Sequence, residues 1–242
     1  MRDWETFWNS IDTQKGKDND WLSMMAQVGK TIQRKPIDDD QFRKTYEKIV
    51  DVLSLEKNDT VLDLCCGNGI VTTKIAEYVD TIIGVDFSRP LIDVANATKL
   101  SNISYFHTSV LDVSLIEMLD NHKFKKFYMN TALQHFSESD FDKLLDNFLS
   151  LSASESIFFI TDIPEKKHLF SFYDTEERRK DYYERVANGT EAIGTWWERD
   201  LLVEKATAKG LHIETFDQDT DFYTSHYRFD ILIRNGSISS NT

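Results

Sequence analysis

The sequence predicts an α/β fold built on a doubly wound, mainly parallel sheet. From Thr60 onward, short apolar runs alternate with amphipathic stretches, which is the pattern of strands joined by crossover helices. The chain has only three Pro and nine Gly in 242 residues, too few for a many-turned β protein. Hydrophobic residues make up 40% of the chain, which is sufficient for a substantial core.

The strands are predicted from short runs rich in β-branched and aromatic residues, a composition typical of buried parallel strands. These runs are 61–64, 81–85, 103–106, 124–129 and 156–160. The helices are predicted where apolar residues recur at helical spacing. They are Asp40 to Leu53, Ile70 to Tyr78, Pro90 to Leu100 and Ser139 to Leu151.

The last third of the chain departs from this alternation. A helix is predicted at Trp197 to Lys209, ending at Gly210, and it is followed by strands at Leu211 to Phe216 and about Tyr223 to Ile233. A parallel crossover needs a dozen or more residues, and the connection between the two strands is short. We therefore expect these two strands to pair antiparallel.

The organisation of the chain is predicted from the same change of pattern. Residues between the fifth strand and the late helix form a long, charged and aromatic stretch, and long insertions in a compact domain are usually lids or binding elements. The expected segments are a helical cap (1–55), an α/β core (56–163), an inserted lid (164–195), the completion of the core (196–235) and a flexible tail (236–242).

Charge and composition exclude several classes of protein. The formal net charge is −13, and no dense Lys/Arg cluster offsets it, which opposes binding of nucleic acid. No apolar run approaches the ~18 residues of a membrane span, and the N-terminus lacks the pattern of a signal peptide, so we expect a cytoplasmic protein without membrane contact. Cys65 and Cys66 are adjacent, which excludes a disulfide framework, and no metal site is expected.

The strongest motif is the stretch from Val61 to Gly69, in which a strand leads into a Gly-x-Gly turn and then a helix. Glycine allows a ligand to approach the backbone closely, and the helix start offers free N–H groups. Asp86 ends the next predicted strand, 19 residues after Gly67. An acid at about this distance accepts hydrogen bonds from ribose hydroxyls in dinucleotide folds. The motif predicts a site for an adenosine-bearing ligand.

The residues around the turn favour a ligand with an ammonium group over a nicotinamide or flavin dinucleotide. Thr72 occupies the position of the third glycine of a dinucleotide fingerprint, which weakens a nicotinamide or flavin interpretation. Asp63 would lie badly beside a pyrophosphate but well beside an ammonium group. A nucleotide-dependent oxidoreductase or epimerase, and a non-catalytic cofactor-binding scaffold, remain as alternatives.

The segment Val61 to Gly69, followed by Gly84 to Ser88, resembles the class I S-adenosylmethionine (SAM)-dependent methyltransferases, and in particular the small-molecule enzymes related to those of quinone pathways. The resemblance implies a Rossmann-like, seven-stranded sheet with the last strand antiparallel. It also implies SAM as cofactor, S-adenosylhomocysteine (SAH) as product, and in-line transfer of the methyl group to an O or N nucleophile.

The resemblance implies roles for individual residues near the cofactor. Asp63 would hold the methionyl end, Asp86 the ribose hydroxyls, Phe87 the adenine face and Asp112 the adenine amine. Asp86 and Asp112 have an alternative role as helix caps. The implied cofactor-binding set is Asp63, Cys65, Gly67, Asn68, Gly69, Asp86, Phe87, Asp112, Val113 and Asn130.

The loop after the fourth strand, Tyr128 to Phe136, is similar to a Leu-His-His-Phe-like stretch of the same enzymes. Because ligands bind beyond the carboxyl ends of strands, the loop is expected to face the transferable methyl. His135 is the candidate general base, with a structural role as the alternative. No Asn/Asp-Pro-Pro-Tyr/Phe motif and no Pro-Cys nucleophile is present, so the DNA and RNA amino- and pyrimidine-methylating enzymes are not matched.

The acceptor is expected to be a small polar metabolite, such as a sugar, a nucleotide-sugar or an amine, bound between the cap and the inserted lid. An aromatic residue suits stacking and a basic residue suits an acid or phosphate, although the aromatic residues have an alternative role in packing the lid. The oligomeric state is left open. The candidate substrate-binding residues are Gln27, Lys30, Tyr173, Trp196, Tyr223 and Arg228.

Overall fold

The computed structural model describes residues 2–13, 20–119 and 122–236, and its main element is one seven-stranded sheet. The predicted flexible tail lies, beyond Gly236, outside the described residues. The strands are β1 (Thr60–Leu64), β2 (Thr81–Asp86), β3 (Ile103–His107), β4 (Phe124–Asn130), β5 (Ser152–Pro164), β6 (His212–Asp217) and β7 (Arg228–Asn235). Their order across the sheet is β3-β2-β1-β4-β5-β7-β6.

The pairing confirms the fold class predicted from the sequence. The five strands from β1 to β5 pair parallel with their neighbours. Strand β7 pairs antiparallel with both β5 and β6, as the short connection between the last two strands requires. The order reverses between β1 and β4, and an open sheet forms its ligand crevice beyond the carboxyl ends of the strands at such a point.

The helices of the described residues pack on both faces of the sheet or lie near the carboxyl ends of its strands. They are α1 (Trp4–Asn9), α2 (Trp21–Gln27), α3 (Asp39–Leu53), α4 (Ile70–Ile75), α5 (Arg89–Thr98), α6 (Ser114–Met118), α7 (Glu138–Leu151), α8 (Leu169–Phe172), α9 (Glu176–Ala187) and α10 (Arg199–Ala208). Short 3-10 turns lie at Leu133–His135 and Lys166–His168, and a small hairpin pairs Thr31–Ile32 with Lys35–Pro36.

The core lies on both faces of the sheet, because successive residues of a buried strand point to opposite sides. Leu62 packs in a cluster that includes Phe141 of α7 and Leu202 of α10. The preceding residue, Val61, packs in a second cluster that includes Ile49 of α3. The continuous apolar runs of the central strands are thereby buried on both sides. No helix in the described part of the chain is long and apolar enough to span a bilayer.

The final strand begins later than predicted, at Arg228 instead of Tyr223. The intervening residues form turns because Thr224 accepts backbone hydrogen bonds from Tyr227 and Arg228, each at 3.1 Å. Its side-chain hydroxyl donates to Asp162 at 2.7 Å. This side-chain contact holds residues 223–227 against β5, so that they do not pair as part of β7.

The fifth strand is longer than predicted, with 13 residues from Ser152 to Pro164. Its antiparallel pairing with β7 continues as far as Pro164 opposite Arg228, which extends the strand beyond its parallel partner β4. A register shift between Ile160 and Ile163 marks a bulge in this extension. A bulge changes the direction in which the neighbouring side chains point. This bulge lies near the carboxyl end of β5, at the edge of the sheet where the ligand crevice is expected.

Candidate functional site

The Gly-x-Gly turn between β1 and α4 has the backbone conformation that the sequence predicts. Gly67 and Gly69 have φ of 57° and 76°, a region that residues with a Cβ rarely occupy. Asp86 connects this turn to the end of β2, since its Oδ2 accepts the Gly67 N–H at 2.8 Å and its Oδ1 accepts the Ser88 N–H at 2.8 Å. The carboxylate therefore fixes the turn, and each oxygen retains a further lone pair for a ligand.

Asn68 connects the same turn to the cap. Its amide donates to the backbone oxygen of Met24 at 2.8 Å and to Oε1 of Gln27 at 2.9 Å, and the Asn68 side chain is fully buried. Two residues predicted for separate ligands, Asn68 and Gln27, thus bind each other across 41 positions of sequence. Neither of them lines the two cavities described below.

A first cavity, of about 80 Å³, lies directly over the turn and is called the cofactor cavity below. Asp86 and Phe87 line it on one side, and Asp63 with Asn130 on another; Gly69, Asp112 and Val113 do not line it. Its lining residues are Trp8, Val28, Lys30, Asp63, Cys65, Cys66, Gly67, Ile70, Val71, Asp86, Phe87, Leu91, Tyr128, Asn130, Thr131, Ala132, His135 and Phe136.

Asp63 and Lys30 are the buried charged pair of this cavity. Burial raises the pKa of Asp63 to about 7, against the hydrogen bonds from Thr72 at 2.6 Å and Tyr128 at 2.5 Å that favour its carboxylate. Burial lowers the pKa of Lys30 to about 8, and the Lys30 ammonium donates to Oδ1 of Asn130 at 2.5 Å. The sequence analysis assigned Lys30 to the substrate, whereas the structure places it among the residues that line the cofactor cavity.

A second cavity, of about 630 Å³, adjoins the first and is called the acceptor cavity below. The two share the lining residues Trp8, Val28, Thr131 and His135. The cap lines one wall, the inserted lid lines another through Phe172, Arg178 and Ile193, and the segment before β7 completes it. Tyr223 and Arg228, both predicted as substrate residues, line this cavity.

Asp162 lines the acceptor cavity and was not among the residues predicted from the sequence. It lies on the bulge of β5 with φ of 69°, a strained conformation for a residue other than glycine. Asp230 holds this conformation because its Oδ1 accepts the Asp162 N–H at 2.8 Å. The Asp162 carboxylate in turn accepts hydroxyl hydrogen bonds from Thr131 at 2.9 Å and Thr224 at 2.7 Å. The signal that could have identified Asp162 in the sequence is its position as an acid soon after the apolar run 156–160.

Arg228 lies beside Asp162 and is 5% exposed. One guanidinium nitrogen donates to Gln134 Oε1 at 2.7 Å and to the Asp162 backbone oxygen, and lies 3.5 Å from the Asp162 carboxylate. Although burial opposes it, the Arg228 charge lowers the pKa of Asp162 below its ordinary value. Both groups are therefore charged at neutral pH.

His135 lies at the junction of the two cavities, between two tryptophans. Its ring centroid is 4.2 Å from that of Trp4 and 5.3 Å from that of Trp8. Burial, with Arg228 and Arg2 nearby, lowers the pKa of His135 to about 3. The imidazole is therefore neutral at physiological pH and a weak proton acceptor in this arrangement.

Tyr173 and Trp196, the two other predicted substrate residues, line neither cavity. They pack with Tyr227 in an aromatic cluster, and the Tyr173 hydroxyl donates to Glu191 at 2.6 Å. The cluster joins the inserted lid to the turn before β7. Their position corresponds to the alternative packing role considered from the sequence.

The strand order and the glycine turn with its acid define a class of protein: a Rossmann-like methyltransferase fold. Comparison with known proteins confirms the class. Residues 61–154 match the family model described as a methyltransferase domain. Residues 61–154 are therefore similar to a methyltransferase domain, within a chain that has a Rossmann-like, seven-stranded sheet.

Solved structures with this fold extend over nearly the whole chain. A SAM-dependent methyltransferase from Anabaena variabilis matches with a TM-score of 0.65 at 14% identity, covering 97% of this chain and 93% of that one. Magnesium protoporphyrin IX methyltransferase from Synechocystis, crystallised with SAH, matches with a TM-score of 0.62 at 13% identity, covering 96% and 99%.

Curated relatives match only part of the chain. The 23S rRNA (uracil(1939)-C(5))-methyltransferase RlmD of Psychromonas ingrahamii is 32% identical over 101 residues, which are 40% of this chain and 23% of the relative. The corresponding protein of Legionella pneumophila is 27% identical over 88 residues, with coverages of 35% and 20%. The chain thus spans about a quarter or less of the length of these relatives.

Proposed function

We propose that this protein transfers the methyl group of SAM to an O or N nucleophile of a small polar molecule. The observation that carries the proposal is the junction of the two cavities at Trp8, Val28, Thr131 and His135. A cofactor over the glycine turn would present its methyl group at this junction, and an acceptor in the larger cavity would meet it there.

The residues of the cofactor cavity fit the parts of SAM. Asp86 carries spare lone pairs for ribose hydroxyls, and Phe87 supplies a face for the adenine. The methionyl end carries both an ammonium and a carboxylate. We propose that Asp63 accepts the ammonium and that Lys30 donates to the carboxylate, since both charges line the same cavity.

The roof of the cofactor cavity must move for the cofactor to enter. Its volume of about 80 Å³ is far below the roughly 300–1,000 Å³ of pockets for ligands of this size. Trp8 of α1 belongs to that roof, and α1 is held to the start of α5 by a hydrogen bond from Ser88 Oγ to the Trp8 backbone oxygen at 2.9 Å. We propose that the cap opens and closes over the site together with the inserted lid.

The sulfonium of SAM, when bound, already makes its methyl group electrophilic, so the chain contributes alignment and exclusion of water. Positioning of two reactants can lower a barrier by ~7–11 kcal/mol. The neutral His135 between Trp4 and Trp8 forms the wall at the junction and orients the acceptor. With its pKa lowered to about 3, we expect His135 to contribute less as a general base than as part of this wall.

A small acceptor is favoured over RNA. The acceptor cavity lies between cap, lid and sheet, and the net charge of −13 opposes a polyanion. The RlmD relatives methylate C5 of uracil, a carbon that becomes nucleophilic after addition of a nucleophile to the ring. Both cysteines of this chain lie in the turn after β1, and burial raises the pKa of each thiol, so neither is suited to that addition.

We also propose a cytoplasmic setting, which the two free cysteines suit.

Two measurements test the proposal. Isothermal titration should detect binding of SAM and SAH and no comparable binding of NAD. Incubation with methyl-labelled SAM and a pool of small metabolites should yield a labelled product 14 Da heavier than its acceptor, and Asp86→Asn should abolish the label. Label in bulk rRNA or tRNA alone would favour the RNA alternative, and SAH binding without any transfer would favour a non-catalytic scaffold.

A further inference from the structure

The acceptor cavity has an excess of unused hydrogen-bond donors. Among the described residues that line this cavity, Nε of Arg228, Nε1 of Trp4 and Nδ1 of His135 are buried atoms without a hydrogen-bond partner. The first two are always N–H donors, whereas the imidazole nitrogen donates or accepts according to its tautomer. Arg228 is 5% exposed and Trp4 is 8% exposed, so bulk water does not satisfy them. A buried donor without an acceptor is costly, and a charged one is more costly still.

The acid of this cavity, in contrast, accepts hydrogen bonds at both carboxylate oxygens. Oδ1 of Asp162 accepts from Thr224 at 2.7 Å and from Gln218 at 3.3 Å. Oδ2 accepts from Thr131 at 2.9 Å and faces Arg228 at 3.5 Å. Asp162 is thus bound by donors of the chain itself, whereas one N–H of Arg228 and the indole N–H of Trp4 are left without an acceptor in the described part of the chain.

The lining of this cavity also carries many aromatic side chains. Aromatic rings from the cap, the inserted lid and the turn before β7 all contribute to it. They are Trp4, Phe7, Trp8, Phe172, Tyr223 and Tyr227. Rings of this number in a cavity of about 630 Å³ suit a planar body that stacks between them.

We propose that the methyl acceptor is an aromatic carboxylic acid, and that Arg228 and Trp4 bind its carboxylate. The inference rests on the proposed function for the cavity but adds the chemical class of its occupant. Arg228 lines the acceptor cavity and not the cofactor cavity, whereas Thr131 and His135 line both. Arg228 thus binds the carboxylate outside the cofactor cavity, and a hydroxyl or amine elsewhere on the ring lies at the junction, where it is methylated.

The test compares the binding of matched ligands that differ in charge. Benzoate, 4-hydroxybenzoate and indole-3-acetate, each paired with its neutral primary amide, are titrated into the protein with and without SAH. We expect each acid that binds to bind at least about tenfold more tightly than its amide, because a charge-assisted hydrogen bond to the guanidinium is lost in the amide. Equal affinities of acid and amide, or no binding of any acid at millimolar concentration, would overturn the proposal.

Two variants and a control identify the residues responsible. Arg228→Gln should remove the preference for acids, and Trp4→Phe, which replaces the indole by a smaller ring without an N–H donor, should reduce it severalfold. Arg234→Gln, on the same strand but paired with Glu214 at the surface, should leave it unchanged. SAH titration of each variant reports whether the fold survives. If the acids bind with the expected preference and SAH does not bind, the proposed methyl transfer fails and only the carboxylate site at Arg228 and Trp4 stands. A preference for acids that persists in Arg228→Gln overturns that carboxylate site and leaves the proposed methyl transfer untouched.

Discussion

Replacing Lys30 by methionine removes the ammonium that lies against Asn130 in the cofactor cavity and keeps much of the side-chain volume. The Lys30 side chain is only 4% exposed, and the distance from its Nζ to Asn130 Oδ1 is 2.5 Å. If Lys30 donates to the methionyl carboxylate, the variant loses a buried hydrogen bond between charged groups, worth ~1.5–3 kcal/mol. We therefore expect the Kd for SAH to rise by about tenfold to a hundredfold.

The assay is isothermal titration with two ligands, SAH and 5′-methylthioadenosine. The second ligand keeps the adenosine and the sulfur but lacks the carboxylate and the ammonium. Lys30→Met should weaken SAH and leave 5′-methylthioadenosine unchanged. Lys35→Met, on the exposed second strand of the neighbouring hairpin, serves as the matched control and should alter neither. An equal loss for both ligands, or no loss for SAH, would refute the assignment.

The same pair of residues predicts how SAH affinity depends on pH. The Asp63 carboxyl, with its pKa raised to about 7, is protonated as the pH falls below 7 and then no longer accepts the ligand ammonium as an anion. Lys30, with its pKa lowered to about 8, loses its proton as the pH rises above 8 and no longer attracts the carboxylate. Affinity should therefore be greatest between pH 7 and 8 and fall on both sides. In Lys30→Met the fall on the alkaline side that begins near pH 8 should disappear.

Three further predictions concern the turn and its cover. Asp86→Asn should weaken SAH binding at least about tenfold by titration, since the amide nitrogen cannot accept a hydrogen bond from a ribose hydroxyl. Asp93→Asn, at an exposed side chain of α5, should leave SAH binding unchanged. Gly69→Ala and Gly210→Ala both place a Cβ on a residue with positive φ, but only at Gly69 would the added Cβ overlap the Tyr105 side chain. Urea denaturation should therefore show a larger decrease in the free energy of unfolding for Gly69→Ala than for Gly210→Ala, by ~1–3 kcal/mol. Hydrogen exchange in the cap and the inserted lid should slow when SAH binds; equally slow exchange in both states would make them fixed scaffold.

The sheet and the cofactor turn were predictable because their signals are local. The run from Val61 to Gly69 contains its strand, its turn and its helix start in sequence, and Asp86 follows at a spacing set by one crossover. These contacts need no knowledge of distant segments. The family resemblance added a seven-stranded sheet with the last strand antiparallel, which the structure confirms.

The acceptor cavity was less predictable because its contacts are long-range. Asp162 receives hydrogen bonds from Thr131 and Thr224, 31 and 62 positions away, and its bulge is held by Asp230. Nothing in the sequence near Tyr173 indicated that its ring would pack away from the cavities. Aromatic composition predicted that the inserted lid is a binding element, but it could not separate the residues that line a cavity from those that join the lid to the sheet.

The bulge on β5 has a consequence for how this protein could be re-engineered. Arg228 is held by its pairing with Pro164 at the end of β5, and Asp162 is held in the bulge by the Asp230 side chain. The inserted lid contributes Phe172, Arg178 and Ile193 to the acceptor cavity from a segment that adds no strand to the sheet. A change of acceptor can therefore be sought by exchanging the part of the inserted lid that follows Pro164 between related chains, while the strands that hold the charged residues are kept.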